Sequence, residues 1–238
     1  ENFAVFYAKV LNRAIDEPDD TVMVALSEAL KVRIITKMPP YRTTAMKPLQ
    51  KFMWNALHEH PAFRLVGEPI SEGYMLDRLG ARLGEDESYL SLDYRAATNE
   101  LLSFPSVDVS EAVSEYCGLT STEAVLLTKS LVGHNIHTSA VDPKPRNPEL
   151  EKIALKTAYP RGIPQAYVLD SLDPLQQDAV EPLNRQRRGQ LMGSITSFPV
   201  LCIINAACIR WACEISQGRL IPLRDAPFAV NGDDAVVR

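Results

Sequence analysis

The sequence predicts an α+β fold, and three observations carry that expectation. Apolar residues recur at helical spacing in several stretches, a few non-consecutive runs have strand character, and Asn231-Gly232-Asp233-Asp234 separates two such runs as a hairpin turn would. With 238 residues the chain can bury one sizeable core or two small ones, and its 46% apolar and 23% charged residues are ordinary for a globular protein. A formal net charge of -5 argues against a protein that simply coats nucleic acid. It leaves room for an enzyme with a basic channel beside an acidic site, because the charge is uneven. Lys31, Arg33, Lys37, Arg42 and Lys47 fall together, Arg185, Arg187 and Arg188 form a second cluster, and acids crowd into 16–20 and 85–87.

Taken in order, Val32–Thr36 is β-branched and predicts a short strand flanked by cations, broken by Pro39 and Pro40. Leu49, Phe52, Met53, Ala56 and Leu57 predict a helix that ends before Pro61, with Trp54 packing on its apolar face or flank. Tyr89–Leu92 predicts a strand leading into Asp93, and Ala96–Leu102 the helix after it. Thr120-Ser121-Thr122-Glu123 has the form of a capping box opening a helix to about Leu131. Three prolines make Asp142–Pro148 a loop. Gly189–Ser194 reads as a loop before a helix from about Ser197 to Ile215, and Phe228–Val230 and Ala235–Val237 as the arms of the final hairpin.

The apolar stretch Phe198–Ile209 is too short to span a bilayer and reads as buried helix, so no membrane segment is expected. The chain starts at Glu1 without a signal peptide and stops just after a strand-like run, as a fragment of a longer protein would. Cys117, Cys202, Cys208 and Cys213 match neither a zinc site nor a disulfide framework and read as small core residues in a reducing compartment. His58 and His60, and His134 and His137, lack a third ligand nearby and read as solvent-exposed or helix-end residues.

Four segments carry chemistry. Two carboxylates at a hairpin tip, Asp233 and Asp234, offer oxygen ligands to Mg²⁺, although Asn-Gly-Asp also makes a plain surface turn. Asp93, at a strand end, can join them in a two-metal arrangement or serve as an N-cap. In Gly189–Pro199 small residues and hydroxyls precede a helix, which suits close approach to a sugar or phosphate as well as an ordinary helix start. Alternation along Lys31–Lys37 puts Lys31, Arg33 and Lys37 on one side, fit for a triphosphate or for a solvated edge strand. Arg185, Arg187 and Arg188 suit either template phosphates or a solvated loop.

In chain order these segments, KVRIITKMP, SLDYRAATNE, RGQLMGSITSFP and NGDD, resemble motifs F, A, B and C of viral RNA-dependent RNA polymerases. Their wording is most similar to the ourmia-like (botourmiavirus) group and its levivirus, narnavirus and mitovirus relatives. The resemblance implies a right-hand polymerase palm with part of the fingers and without the thumb. It puts a fingers-side segment with motif F at 1–88, palm motif A at 89–110, a fingers/palm insertion at 111–183 and palm motifs B and C at 184–238. It implies RNA-templated RNA synthesis for viral replication, with two Mg²⁺ ions (or Mn²⁺) on Asp93, Asp233 and Asp234. Lys31, Arg33 and Lys37 are then expected to meet the ribonucleoside triphosphate, with Thr98, Asn99, Gly193, Ser194, Ser197 and Asn205 near its sugar and the template. Arg185, Arg187 and Arg188 are expected on RNA template or nascent strand, and replication in the host cytoplasm. Two positions depart from the pattern: Asn99 stands where a second Asp is common, and Leu201 where an Asn often follows motif B, with Asn205 one turn further. A non-catalytic RNA-binding remnant and a reverse transcriptase are the other readings. The latter normally carries an aromatic-x-Asp-Asp turn instead of Asn231-Gly232.

Overall fold

Two three-stranded sheets organise the residues that the computed structural model describes, 2–137 and 185–238. The loop expected at Asp142–Pro148 lies outside them. The first half of the chain holds α1 (Phe3–Asp16), β1 (Asp20–Glu28), β2 (Lys31–Lys37), α2 (Pro40–Glu59), α3 (Glu72–Leu79) and β3 (Leu90–Leu92). Then follow α4 (Ala97–Glu100), α5 (Ser103–Cys117), α6 (Ser121–Leu131), β4 (Asn135–His137), α7 (Ser197–Gln217), β5 (Phe228–Asn231) and β6 (Asp234–Val237). The α+β expectation holds. Two compact units emerge, each from two stretches of chain: Glu1–Lys47 with Thr98–Ser197, and Pro48–Ala97 with Phe198–Arg238.

In the first unit β1 and β2 form an antiparallel hairpin that pairs Val22 with Lys37 and Glu28 with Lys31, while β4 lies parallel on the other edge of β1. The predicted strand is present, one residue longer at each end. Pro40, expected only to break the chain, instead opens α2, where a missing N–H costs nothing. The Glu17 carboxylate accepts from the backbone N–H groups of Tyr41 and Arg42 at 2.9 and 2.7 Å and caps that end. Arg42 is buried, 2.8 Å from Asp19, and donates to the carbonyls of Glu17 and Lys129. It therefore belongs to the fold and not to a basic surface. The capping box is as expected: Glu123 N–H donates to Thr120 Oγ1, and Thr120 N–H donates back to the Glu123 carboxylate at 2.9 Å.

Much of this unit's interior is polar, and two buried glutamines carry part of its pairing. Gln186 donates to the carbonyls of Leu131 and Gly189 and accepts from His134 N–H. Gln190 donates to Ser106 Oγ and accepts from Ser197 Oγ. His134 corrects the expectation of an exposed histidine, for it is wholly buried. Burial, followed by the charge of Arg42, pushes its pKa down to about 4, so its ring is neutral.

The second unit is built on the antiparallel sheet β3-β6-β5. Cys202, Ala206, Ile209 and Cys213, on one face of α7, pack with Leu57, Ala62, Phe63 and Val66 against Phe228, Val230 and Ala235. Complete burial of a Phe such as Phe228 contributes about 2–3 kcal/mol. Arg78 spans the entry to β5, donating to the carbonyls of Arg224, Ala226 and Phe228. Trp54 packs on this core, its ring 5.4 Å from that of Phe198. Among the described residues α7 alone is long and apolar enough to cross a bilayer by length and composition, exceeding the short run that sequence reading noted. Its apolar face is in the core. Cys202 and Cys213 are buried as expected, but Cys117 is half-buried and Cys208 exposed, because α7 turns Cys208 away from the sheet.

The histidine yields a test. With a folded pKa of about 4 against the ordinary 6.5, the unfolded chain takes up the proton first. The contribution of neutral His134 is therefore complete above pH 6.5 and is lost progressively as pH falls towards 4. Thermal unfolding of the His134→Leu variant should show a shallower fall in midpoint across that window than the parent, and parallel curves would show that the histidine is not buried neutral.

Candidate active site

The register of the second sheet decides where its acids lie. Leu90 pairs with Val237, Ser91 with Val236 and Leu92 with Ala235. Continued by one residue, this ladder sets Asp93 beside Asp234, the first residue of β6. Across the hairpin Asn231 pairs with Asp234, which leaves Gly232 and Asp233 as the two-residue turn. Gly232 has φ +70°, a conformation that glycine adopts without strain and that the hairpin requires. Asp93 and Asp234 are exposed and Asp233 half-exposed. Partial desolvation, followed by the charges of Asp233 and Asp93, raises the Asp234 pKa above the usual carboxylate range. The three acids therefore lie within one another's field.

One face of α7 cradles this turn. Phe198, Cys202 and Asn205 are spaced i, i+4 and i+7 and so lie along one line of the helix. The Phe198 ring leaves so little room that a side chain on Gly232 would start 3.0 Å from it. Gly232 N–H donates to Cys202 Sγ at 3.2 Å. Burial pushes the Cys202 thiol up to about 11, so it remains a neutral acceptor and adds no charge beneath the carboxylates. Asn205 Nδ2 donates to the carbonyls of Gly232 at 2.9 Å and Asp233 at 3.1 Å. Tyr94, next to Asp93, donates its hydroxyl to Asn205 Oδ1 at 3.1 Å.

This donor set fits a hard cation. Carboxylate oxygens suit Mg²⁺, which keeps several waters and takes only one or two protein carboxylates beside phosphate oxygens. The neighbouring charges on Asp234 are those a cation relieves. Among the described residues no three His, Cys, Asp or Glu side chains converge tightly enough to hold an ion by themselves.

No family model matches the chain. Over 224 residues, 89% of this chain, it is 31% identical to the RNA-dependent RNA polymerase of Ourmia melon virus (isolate Melon/Iran/VE9). Over that stretch the chain is similar to a segment of a viral RNA-dependent RNA polymerase. It spans 22% of that relative's length.

The other residues singled out from the sequence lie in the first unit. Arg33 and Lys37 are exposed on β2, Arg33 in an ion pair of 2.8 Å with Glu28. Lys31 holds the first position of that strand. Thr98 and Asn99 are on α4, and the Thr98 carbonyl accepts from Gln190 N–H at 2.7 Å. Gly193 meets protein backbone: a Cβ there would lie 1.5 Å from the Thr36 carbonyl oxygen, and its N–H donates to Thr36 Oγ1. The Ser194 and Ser197 hydroxyls are buried, bonded to Thr196 and Gln190 respectively. Arg185 donates to Asn135 Oδ1, Arg187 is half-buried and exposed Arg188 lies 3.9 Å from Glu100. Sequence reasoning missed Tyr94, Phe198 and Cys202. The helical spacing of the last two with Asn205 was the available signal.

Gly193 separates backbone fit from ligand contact. Gly193→Ala should lower stability by about 3 kcal/mol or more, since two backbones must part, whereas Ser194→Ala should cost about 1 kcal/mol. Denaturant unfolding of this chain measures both, and equal midpoints for Gly193→Ala and parent would refute the packing role.

Proposed function

We propose that this chain is the catalytic core of an RNA-templated RNA polymerase of the ourmia-like (botourmiavirus) group, akin to levivirus, narnavirus and mitovirus enzymes, acting in viral genome replication. The observation that carries the reading is the sheet register that brings Asp93 beside the Asp233–Asp234 turn. The ourmiavirus relative supports it. In this reading Asp93 and Asp233 hold two divalent cations, Mg²⁺ or Mn²⁺, and Asp234 supports them. When bound, such ions supply the charge that acidifies a 3′-hydroxyl and neutralises departing pyrophosphate. The RNA 3′-oxygen then attacks the α-phosphate of a ribonucleoside triphosphate, forming one phosphodiester bond as the bond to pyrophosphate breaks.

The residues of the first unit enter by their motifs. Lys31, Arg33 and Lys37 neutralise incoming phosphates, while Thr98 and Asn99 serve the sugar, Asn99 as an uncharged acceptor for a 2′-hydroxyl. Arg188 and its neighbours Arg185 and Arg187 track RNA phosphates. Segment 1–88 is then on the fingers side, 89–110 and 184–238 are palm, and 111–183 is a fingers/palm insertion. Replication in the host cytoplasm belongs to the same reading.

RNA extension by the full-length protein carrying this chain, with Mg²⁺ and ribonucleotides, is the test. Asp93→Ala and Asp233→Ala should each lower the rate about a thousandfold or more, as loss of several kcal/mol of charge stabilisation requires. The 238-residue chain alone should not extend RNA. A folded, RNA-binding parent without activity would favour a remnant, and activity surviving both substitutions would place the site elsewhere.

A further inference from the structure

Asn205 lies between the two segments that bear the acids, and its side-chain hydrogen bonds run to both. It is buried, 4% exposed, with both N–H groups of Nδ2 directed at the carbonyls of Gly232 and Asp233. Its Oδ1 accepts from the Tyr94 hydroxyl. The orientation of the amide is determined by these partners: turned over, it would set an acceptor against two carbonyl oxygens. With both donors engaged, the side chain has none left for a nucleotide. The two carbonyls belong to the turn that carries Asp233 and Asp234, and Tyr94 is bonded in sequence to Asp93. A rigid amide plane thus spans the only two chain segments from which the acids come.

We propose that Asn205 is a positioning residue that sets the distance between Asp93 and the Asp233–Asp234 turn, and so the affinity of these acids for divalent cation, without touching the nucleotide. This rests on the polymerase reading of those acids. Loss of either side of the bridge leaves the acids in place but lets their repulsion spread them. Tyr94→Phe removes one neutral hydrogen bond at a residue that is 44% exposed, so the fold survives it. Asn205→Ser keeps a polar group but cannot reach both segments.

The experiment uses the full-length protein without nucleotide and titrates Mn²⁺ by electron paramagnetic resonance, with amide hydrogen exchange across Phe228–Arg238 read in parallel. Tyr94→Phe should weaken Mn²⁺ binding about two- to tenfold, as one neutral hydrogen bond is worth, and Asn205→Ser more. Exchange at the turn should quicken in Asn205→Ser. In extension assays at saturating Mg²⁺, the ribonucleotide KM and the preference for ribose over deoxyribose should stay at parental values in Tyr94→Phe. Parental Mn²⁺ affinity in both variants, with Asp93→Ala still impaired, would overturn the positioning role alone. A changed sugar preference in Asn205→Ser with Mn²⁺ affinity intact would make Asn205 a nucleotide contact instead. Parent protein whose Mn²⁺ binding is indifferent to Asp93→Ala and Asp233→Ala would overturn the polymerase reading, and the inference with it.

Discussion

Neighbouring carboxylates repel one another even where solvent screens much of their charge, and a turn bearing two of them beside a third is pushed open. Partial desolvation, and after it the charges of Asp233 and Asp93, raises the Asp234 pKa. What resists the repulsion is not another charge. The sheet ladder ties Leu92 to Ala235, one residue short of the acids on both strands. On the other side α7 offers a ring, a neutral thiol and an amide, none of which compensates the negative charge. The charge is thus left for something that binds, while the backbone carrying it is held from beneath.

The same logic of uncharged bracing appears in the first unit. Gln186 spends both amide donors on backbone carbonyls and accepts from an N–H, and Gln190 donates to one serine hydroxyl and accepts from another. Gly189 has φ +77°, and a Cβ there would lie 2.2 Å from the Thr98 carbonyl oxygen, so the loop docks on α4 as closely as backbones can. Gly193 does the same on β2. Segments far apart in sequence, around Thr36, Thr98 and Gly193, are therefore locked as backbone against backbone. Buried amides bonded in this way rigidify such a junction without the desolvation cost of buried ions.

Legibility followed the reach of the determining force. Local signals were readable: the capping box at Thr120, the hairpin around Gly232, and β2 and β3 from apolar runs. Pro40 misled because proline breaks a helix from within but opens one at its first position. The helix of 3–16 and strand of 20–28 were not anticipated: α1 is amphipathic, with Val10 and Ala14 on its buried side, and that readable pattern was missed, whereas β1 is exposed over much of its length and alternates little. His134 and Arg42 looked like surface residues because their burial depends on partners remote in sequence, Gln186 and Lys129 among them. At the acids, residue identity was readable from the sequence and the register was not: nothing local states that Leu92 pairs with Ala235.

Motif resemblance names the segments that come together, but it does not say which atoms face a substrate. Gly193, Ser194, Ser197 and Asn205 invite a reading as ligand contacts because they are small or polar, yet each is engaged within its own unit. Asp93 and Asp234, with Arg33 and Lys37, show the opposite pattern, exposed despite their desolvation-sensitive charge. Burial sorts the two classes by physical necessity. A hydrogen-bonding group that shapes a site must be dry and fully paired to be worth its cost, whereas one that meets phosphate or cation must stay accessible until the ligand arrives. In this chain the polar residues beneath the turn supply geometry, and under the proposed function the acids above it supply chemistry.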